Sequence, residues 1–180
     1  ASGPFSFAAG LGATASGSQN VAVGNDADAG DILSVAIGGD STAVTQQSVA
    51  VGNFAVAGST GLANAVAVGP LAQAYGAASI ALGREAIVTA AGVAGIAIGL
   101  DASTSAAGGV AIGSQSDATG AQSTAIGEAA AASGASSIAL GTSNALSANA
   151  LANNRGSPCA ASSGLFPMQH PHRFALTCAA

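Results

Sequence analysis

The sequence has 180 residues, of which 49% are hydrophobic, 6% charged and 3% aromatic, with 48 Ala, 26 Gly and neither Trp nor Lys. Large side chains are too few to fill a conventional globular core, because most of the free energy of burial comes from large aliphatic and aromatic groups. Disorder is not indicated either, since the mean hydropathy is +0.53 and the net charge is only -5.

Several other classes of protein are excluded. No apolar run is long enough to span a bilayer as a helix, and glycine does not recur at every third position as in collagen. Only Arg84, Arg155 and Arg173 are basic, against eight acidic residues, which argues against nucleic-acid binding. No charged segment followed by an apolar run opens the sequence, so we expect a processed chain or an excised fragment.

One short string recurs along the chain: a small residue, an aliphatic residue, Ala, a second aliphatic residue and Gly. A degenerate copy ends at Gly10, and the later spacings are 14 residues except for 17 before Gly69 and 16 before Gly99. A short fixed period of this kind predicts a solenoid. The nine clear copies end at turn glycines Gly24, Gly38, Gly52, Gly69, Gly83, Gly99, Gly113, Gly127 and Gly141.

Each period contains two alternating segments. Small residues occupy the third and fifth positions after the motif glycine, as at Ala27 and Ala29, and a second glycine commonly marks the turn before the next copy. Alternation with a period of two predicts short strands, whereas two glycines per period would cost a helix about 1 kcal/mol each. We therefore predict an all-β fold of about ten 14-residue coils, with two short strands in each coil and parallel sheets.

The aliphatic residues that flank the central alanine are predicted to form the core of the repeat. A coil with so few large side chains gains little from burial compared with the entropy lost on ordering it. The sequence therefore predicts an obligate oligomer in which several chains share a core. The predicted core residues are Val21, Val23, Val35, Ile37, Val49, Val51, Val66, Val68, Ile80, Leu82, Ile96, Ile98, Val110, Ile112, Ile126, Ile138 and Leu140.

The strings NVAVG, SVAIG, SVAVG, SIALG and STAIG at this spacing, with A-x-A between them, resemble the head repeats of trimeric autotransporter adhesins of the Yersinia adhesin type. The resemblance covers residues 6 to about 150. It implies a left-handed parallel β-roll assembled as a homotrimer on the outer membrane of a Gram-negative bacterium. It also implies binding to host extracellular matrix or cell-surface molecules, with the stalk and the membrane anchor lying outside this segment.

The longer spacings place insertions around residues 58–64 and 89–95, and insertions in solenoids protrude and often bind ligands. The alternative interpretation is that these insertions are tolerated variations in turn length with no binding role. The candidate binding-loop residues are Gly58, Ser59, Thr60, Gly61, Thr89, Gly92 and Val93.

Four acidic residues, Asp26, Asp40, Glu85 and Asp101, occupy the second position after the motif glycine. Stacked coils would bring neighbouring carboxylates to about 5 Å from one another. Two interpretations remain open. The acids form a weak site for a cation or a basic partner, or they form a solvated edge that keeps the rod soluble.

Catalysis is not expected, because residues 1–154 contain no His, Cys or Lys to serve as a proton shuttle or activated nucleophile. No cofactor and no metal site are predicted. The fourteen-residue period and the missing His also exclude a hexapeptide acyltransferase, and the sparse, out-of-register threonines disfavour an ice-binding solenoid.

The repeat pattern stops after the adhesin-like head at 1–152, and the atypical tail at 153–180 does not fit it. We interpret the tail as vector-derived or out-of-frame sequence, and alternatively as a native cap or neck. His170 and His172 are poorly spaced for a zinc site with Cys159 and Cys178, although a disulfide between the two cysteines is possible.

The predicted function is bacterial cell-surface adhesion, in which three identical weak sites on a rigid rod gain avidity. The alternative is a structural spacer or a self-association module that promotes autoaggregation or biofilm formation without a host ligand.

Overall fold

The computed structural model describes residues 1–59 and 63–152, which form 21 short β-strands and no helix. Within these residues, therefore, no helix could cross a membrane. The chain winds through two parallel sheets, visiting the first sheet, a turn, the second sheet and a second turn in every coil. The all-β solenoid of about ten coils that the period predicts is confirmed.

The first sheet contains eleven strands, and the second sheet contains ten. The strands of the first sheet are β1 Phe7–Ala9, β3 Val21–Val23, β5 Val35–Ile37, β7 Val49–Val51, β9 Val66–Val68, β11 Ile80–Leu82, β13 Ile96–Ile98, β15 Val110–Ile112, β17 Thr124–Ile126, β19 Ile138–Leu140 and β21 Leu151–Ala152. Those of the second sheet are β2 Thr14–Ala15, β4 Asp28–Ala29, β6 Thr42–Ala43, β8 Val56–Ala57, β10 Gln73–Ala74, β12 Ile87–Val88, β14 Ser103–Thr104, β16 Asp117–Ala118, β18 Ala131–Ala132 and β20 Asn144–Ala145.

Each strand pairs with the equivalent strand of the next coil, and the register survives changes in coil length. Val49 pairs with Val66 across the 17-residue coil, and Ile80 pairs with Ile96 across the 16-residue coil. The last coil is shorter, because Ile138 pairs with a residue only 13 positions later, in a strand that the sequence pattern did not reveal. Insertions and deletions are therefore absorbed in the turns while the sheets stay in register.

The interior between the two sheets is filled by alanine. The central alanine of nearly every first-sheet strand and the second residue of most second-sheet strands are fully buried, as Ala36 and Ala43 illustrate. Their short side chains let the two sheets approach closely, and a larger residue would force them apart.

The structure corrects the predicted repeat core. Valine and isoleucine beside the central alanine point outward, because successive side chains of a strand alternate between its faces and alanine occupies the inner one. None of the seventeen predicted core residues is buried in the chain, and Ile37 keeps 39% of its surface exposed. The core of one chain is therefore alanine, and the aliphatic side chains form its surface.

Two interior residues that are larger than alanine are accommodated because nearby positions are glycines, which have no side chain. Val88 and Thr104 are fully buried in the second sheet, where other coils have alanine. A Cβ added at Gly95 would lie 2.9 Å from Thr104 Cγ2, and one added at Gly109 would lie 2.7 Å from the same methyl group. Interior volume is thus conserved from coil to coil.

Hydroxyl groups line the rest of the interior and are mostly satisfied locally. Ser34 Oγ donates to the Asp31 carbonyl at 2.7 Å, and Ser41 Oγ donates to the Gly38 carbonyl at 2.9 Å. Asn20 spans two coils, since its amide nitrogen donates to Ala29 and its amide oxygen accepts from the Ser34 backbone. Small polar residues therefore bond the turns to the sheets at little cost in volume.

The predicted turn glycines lie directly after the first-sheet strands, and all nine have positive φ, mostly between 131° and 140°. They also stack on one another. A Cβ added at Gly38 would lie 2.5 Å from the carbonyl oxygen of Gly52 in the next coil, so both backbone angle and space require glycine.

We expect Gly38→Ala to lower the free energy of unfolding by about 2 kcal/mol or more, through backbone strain and the clash with Gly52. Gly30→Ala is the matched control, because an added Cβ there has no neighbour closer than 3.8 Å and the residue does not have positive φ. Chemical denaturation of both variants measures the difference. Equal stability of the two variants would contradict this account of the turn.

Candidate functional site

The first sheet presents an uncharged surface to the outside, which we call the aliphatic face: the outward side chains of β1 to β21 in that sheet. Two columns of Val, Ile and Leu run along it through most coils. The side chains on this face are half-buried or exposed, with 40% exposure at Ile126, Ile138 and Leu140. Continuous apolar surfaces of this length mark sites of association rather than free solvent-facing surface.

The second sheet presents a different surface on the opposite side of the alanine interior. Its outward residues mix hydroxyl, amide, carboxylate and aliphatic groups, and most of them are half-buried. In coil order they are Thr14, Asp28, Thr42, Val56, Gln73, Ile87, Ser103, Asp117, Ala131 and Asn144. A surface of mixed polarity is compatible with solvent and with a polar ligand.

The four turn acids lie on the edge that connects the first sheet to the second. Asp26, Asp40, Glu85 and Asp101 have φ of 52°, 54°, 59° and 53°, in the left-handed region. Aspartate tolerates this region better than most residues, so backbone geometry by itself accounts for much of this placement. Sequence reasoning noticed the acids but missed the conformation that favours them.

Glu85 and Asp101 interact across neighbouring coils. A hydrogen bond with Glu85 raises the pKa of Asp101 above its ordinary value, with smaller contributions from desolvation and from the charge of Glu85. Arg84 opposes this rise and forms an ion pair with Glu85, with Nη2 2.7 Å from Oε1. The side chain of Glu85 therefore favours the protonated form of Asp101.

These acids do not form an evident metal centre. Across residues 1–59 and 63–152, no group of three or more His, Cys, Asp or Glu side chains is arranged to hold a metal ion. Asp26 instead accepts a hydrogen bond from the side-chain amide of Asn25, with the two atoms 2.6 Å apart.

A shallow groove of about 310 Å³ lies between this edge and the outward face of the second sheet. We call it the edge groove, and its lining residues are Leu71, Gln73, Glu85, Ile87, Asp101 and Ser103. Because these residues come from three successive coils, no local sequence motif predicts that they lie together.

The candidate binding loops lie on the other edge of the roll, where the second sheet returns to the first. Ser59 Oγ donates to the Tyr75 carbonyl at 3.1 Å, and Thr89 Oγ1 donates to the Ser105 carbonyl at 3.2 Å. Gly58 is buried with φ of 90°, Gly92 packs near Val88, and Val93 is 44% exposed. Thr60 and Gly61 lie outside the described residues, and so do His170, His172, Cys159 and Cys178 of the tail.

The comparisons with known proteins agree with this geometry. A family model described as the YadA head domain repeat matches residues 32–55, 63–86 and 118–144. The crystal structure of the collagen-binding domain of the Yersinia adhesin YadA matches with a TM-score of 0.52 and 29% sequence identity, covering 92% of this chain and 80% of that one. The chain is therefore similar, in part of its sequence and in its fold, to the YadA head of trimeric autotransporter adhesins. No curated protein sequence matches it.

The family model and the solved structure that match this chain both describe adhesin heads. The resemblance of the repeated strings to the head repeats of such adhesins is confirmed.

We expect Glu85→Gln to lower the pKa of Asp101, because the amide of glutamine can donate a hydrogen bond to the ionised carboxylate. Carboxyl carbon chemical shifts recorded against pH measure this change, and Asp40→Asn serves as the control. A raised folded-state pKa favours folding most below the ordinary pKa, and this contribution is lost as the pH rises through the raised value. Glu85→Gln should therefore gain stability relative to the parent chain as the pH rises from acid to neutral.

Proposed function

We propose that the chain is the homotrimeric head of a surface adhesin that binds host extracellular matrix, with collagen as the first ligand to test. The observation that carries this proposal is the match, over 92% of the chain, to a domain described as collagen-binding. The proposed location is the outer membrane surface of a Gram-negative bacterium, as for the family. An anchor outside this segment would hold the head there.

The aliphatic face supports the homotrimer. Three chains that pack these faces around a common axis would bury the outward Val, Ile and Leu columns of all coils at once. Fully burying such a side chain contributes about 1.5 to 3 kcal/mol, far more than an interior alanine can supply. The trimer would therefore complete a core that each chain holds only in part.

The same arrangement supports adhesion by multivalent contact. With the aliphatic faces turned inward, the polar outward face of the second sheet and both edges remain available to a ligand. Three identical surfaces on one rigid rod raise avidity even when each contact is weak. The insertion loops around residues 58–64 and 89–95 remain candidates for part of that contact.

Two further features of the head are proposed on the family likeness and the sequence pattern. The roll is left-handed, and the head comprises residues 1–152, with residues 153–180 as a separate tail.

We expect Val49→Asp to dissociate the trimer, because it places a charge on the aliphatic face. Val56→Asp is the matched control, since Val56 is also half-buried and points outward from the same coil, but from the opposite sheet. Light scattering gives the mass of each variant, and circular dichroism reports whether the strands persist. Retention of the trimer by Val49→Asp, or dissociation by both variants, would contradict the proposed interface.

We expect the full chain to bind immobilised collagen, with apparent affinity reduced by roughly a hundredfold or more when the trimer is dissociated by Val49→Asp. Fibronectin and laminin are tested in parallel on the same solid phase. Binding to none of the three, together with aggregation of cells that display the chain, would favour the self-association function instead.

A further inference from the structure

The edge groove combines an apolar end with an acidic end. Leu71, which is 39% exposed, and half-buried Ile87 supply the aliphatic surface. Glu85 and Asp101 stand one and two coils further along the same edge. The register of the second sheet keeps these residues aligned, since Gln73 pairs with Ile87 and Ile87 pairs with Ser103.

The apolar character of one end and the acidic character of the other both extend beyond the groove. On the apolar side, Phe54 is 49% exposed at the turn position one coil before Leu71, and Val56 pairs with Gln73. On the acidic side, Ser103 Oγ donates to Asp117 Oδ1 at 2.7 Å. An occupant that lies along the roll axis therefore meets hydrocarbon first and carboxylate second.

The negative charge at the acidic end is only partly balanced. Arg84 pairs with Glu85, but its side chain is 65% exposed and points to a carboxylate that already shares a hydrogen bond with Asp101. The raised pKa of Asp101 reflects this crowding of carboxyl groups. An additional cation would relieve it, whereas an anion or an acidic peptide would increase it.

The composition of the groove favours one class of occupant. A volume of about 310 Å³ is sufficient for one long side chain. Arginine and lysine have an apolar stem and a cationic head, so the stem can lie on Leu71 and Ile87 while the head reaches the acids. The planar guanidinium of arginine also pairs with two carboxylate oxygens at once.

We propose that the edge groove is a binding subsite for a basic side chain, arginine above lysine, presented by an extended segment of a host protein. The source of that side chain rests on the proposed adhesin function, whereas the chemistry of the groove does not. Because the groove lies away from the aliphatic face, each chain of a trimer would offer one copy. Each copy binds weakly, and the three together contribute to avidity.

The test uses the full chain, labelled with ¹⁵N, and two capped tripeptides, Gly-Arg-Gly and Gly-citrulline-Gly. Citrulline has the shape of arginine without its charge. We expect the arginine peptide to shift the amide signals of Gln73, Ile87 and Ser103, and the citrulline peptide to bind about fivefold more weakly or not at all. Equal binding of the two peptides, or no binding of either, would overturn the proposal.

A pair of double variants separates the groove from general electrostatic attraction. Glu85→Gln with Asp101→Asn removes both carboxylates of the groove, while Asp26→Asn with Asp40→Asn removes two carboxylates from equivalent turn positions in other coils. Glutamine at position 85 suits the backbone, since Gln115 occupies the same turn position with φ of 57°.

We expect the first double variant to weaken binding of the arginine peptide about fivefold and the second to leave it unchanged. An equal loss in both would show attraction to net charge alone and overturn the subsite. Ile87→Ser, which copies Ser103 in the same column, tests the apolar wall and should also weaken binding. Unchanged binding in that variant would overturn the proposed seating of the stem.

The peptide titration contains no collagen, so the two proposals fail separately. Collagen binding without peptide binding overturns the subsite alone. Peptide binding at the groove without collagen binding supports the subsite and overturns only the proposed ligand of the head.

Discussion

The narrow gap between the two sheets is the constraint on which the rest of the molecule depends. Alanine methyl groups fill most of it, together with small polar side chains, so a coil with a larger inward side chain must lose volume nearby. Val88 and Thr104 meet this requirement through glycines in the same and neighbouring coils. Apart from Val88, the valine and isoleucine side chains of the strands do not fit this gap and are displaced to the outer surface.

This displacement divides the surface of the chain by chemistry. One side carries aliphatic columns whose exposure to water is unfavourable, and the other carries hydroxyl, amide and carboxylate groups that water solvates well. In the proposed trimer, the aliphatic side would form the contact between chains and the other side would stay available to a ligand. Substitutions on the two sides would then change trimer stability and ligand affinity independently.

Much of the fold could be predicted from the sequence, because every coil repeats the same backbone. The motif glycines gave the coil length, and alternation gave two strands per coil. Alternation separates two faces but does not say which of them is inside, and both faces here are apolar. The smaller volume of alanine compared with valine indicates that the alanine face is the inner one. The prediction instead placed the larger aliphatic residues in the core.

Other features depend on contacts that sequence spacing does not display. The strand Leu151–Ala152 was missed because its coil is one residue short and has no motif glycine. The edge groove was missed because its walls lie in three coils, although the acids that form part of it had been noted. Asp, Asn and Gln recur at the turn positions with positive φ, where they tolerate this conformation or keep the turn polar. Their recurrence was a partial sequence signal for these turns.

The direction of the backbone hydrogen bonds has a mechanical consequence. Bonds between successive coils occur in both sheets and at both turns, as Val35 to Ser48, Asp40 to Asn25 and Gln47 to Ile32 illustrate. They run along the rod. Separating two coils as intact units would break all of these bonds at once, so a load applied in that way is shared around the whole contour of a coil. A rod with so thin an interior can in this way resist traction that its small core alone would not withstand.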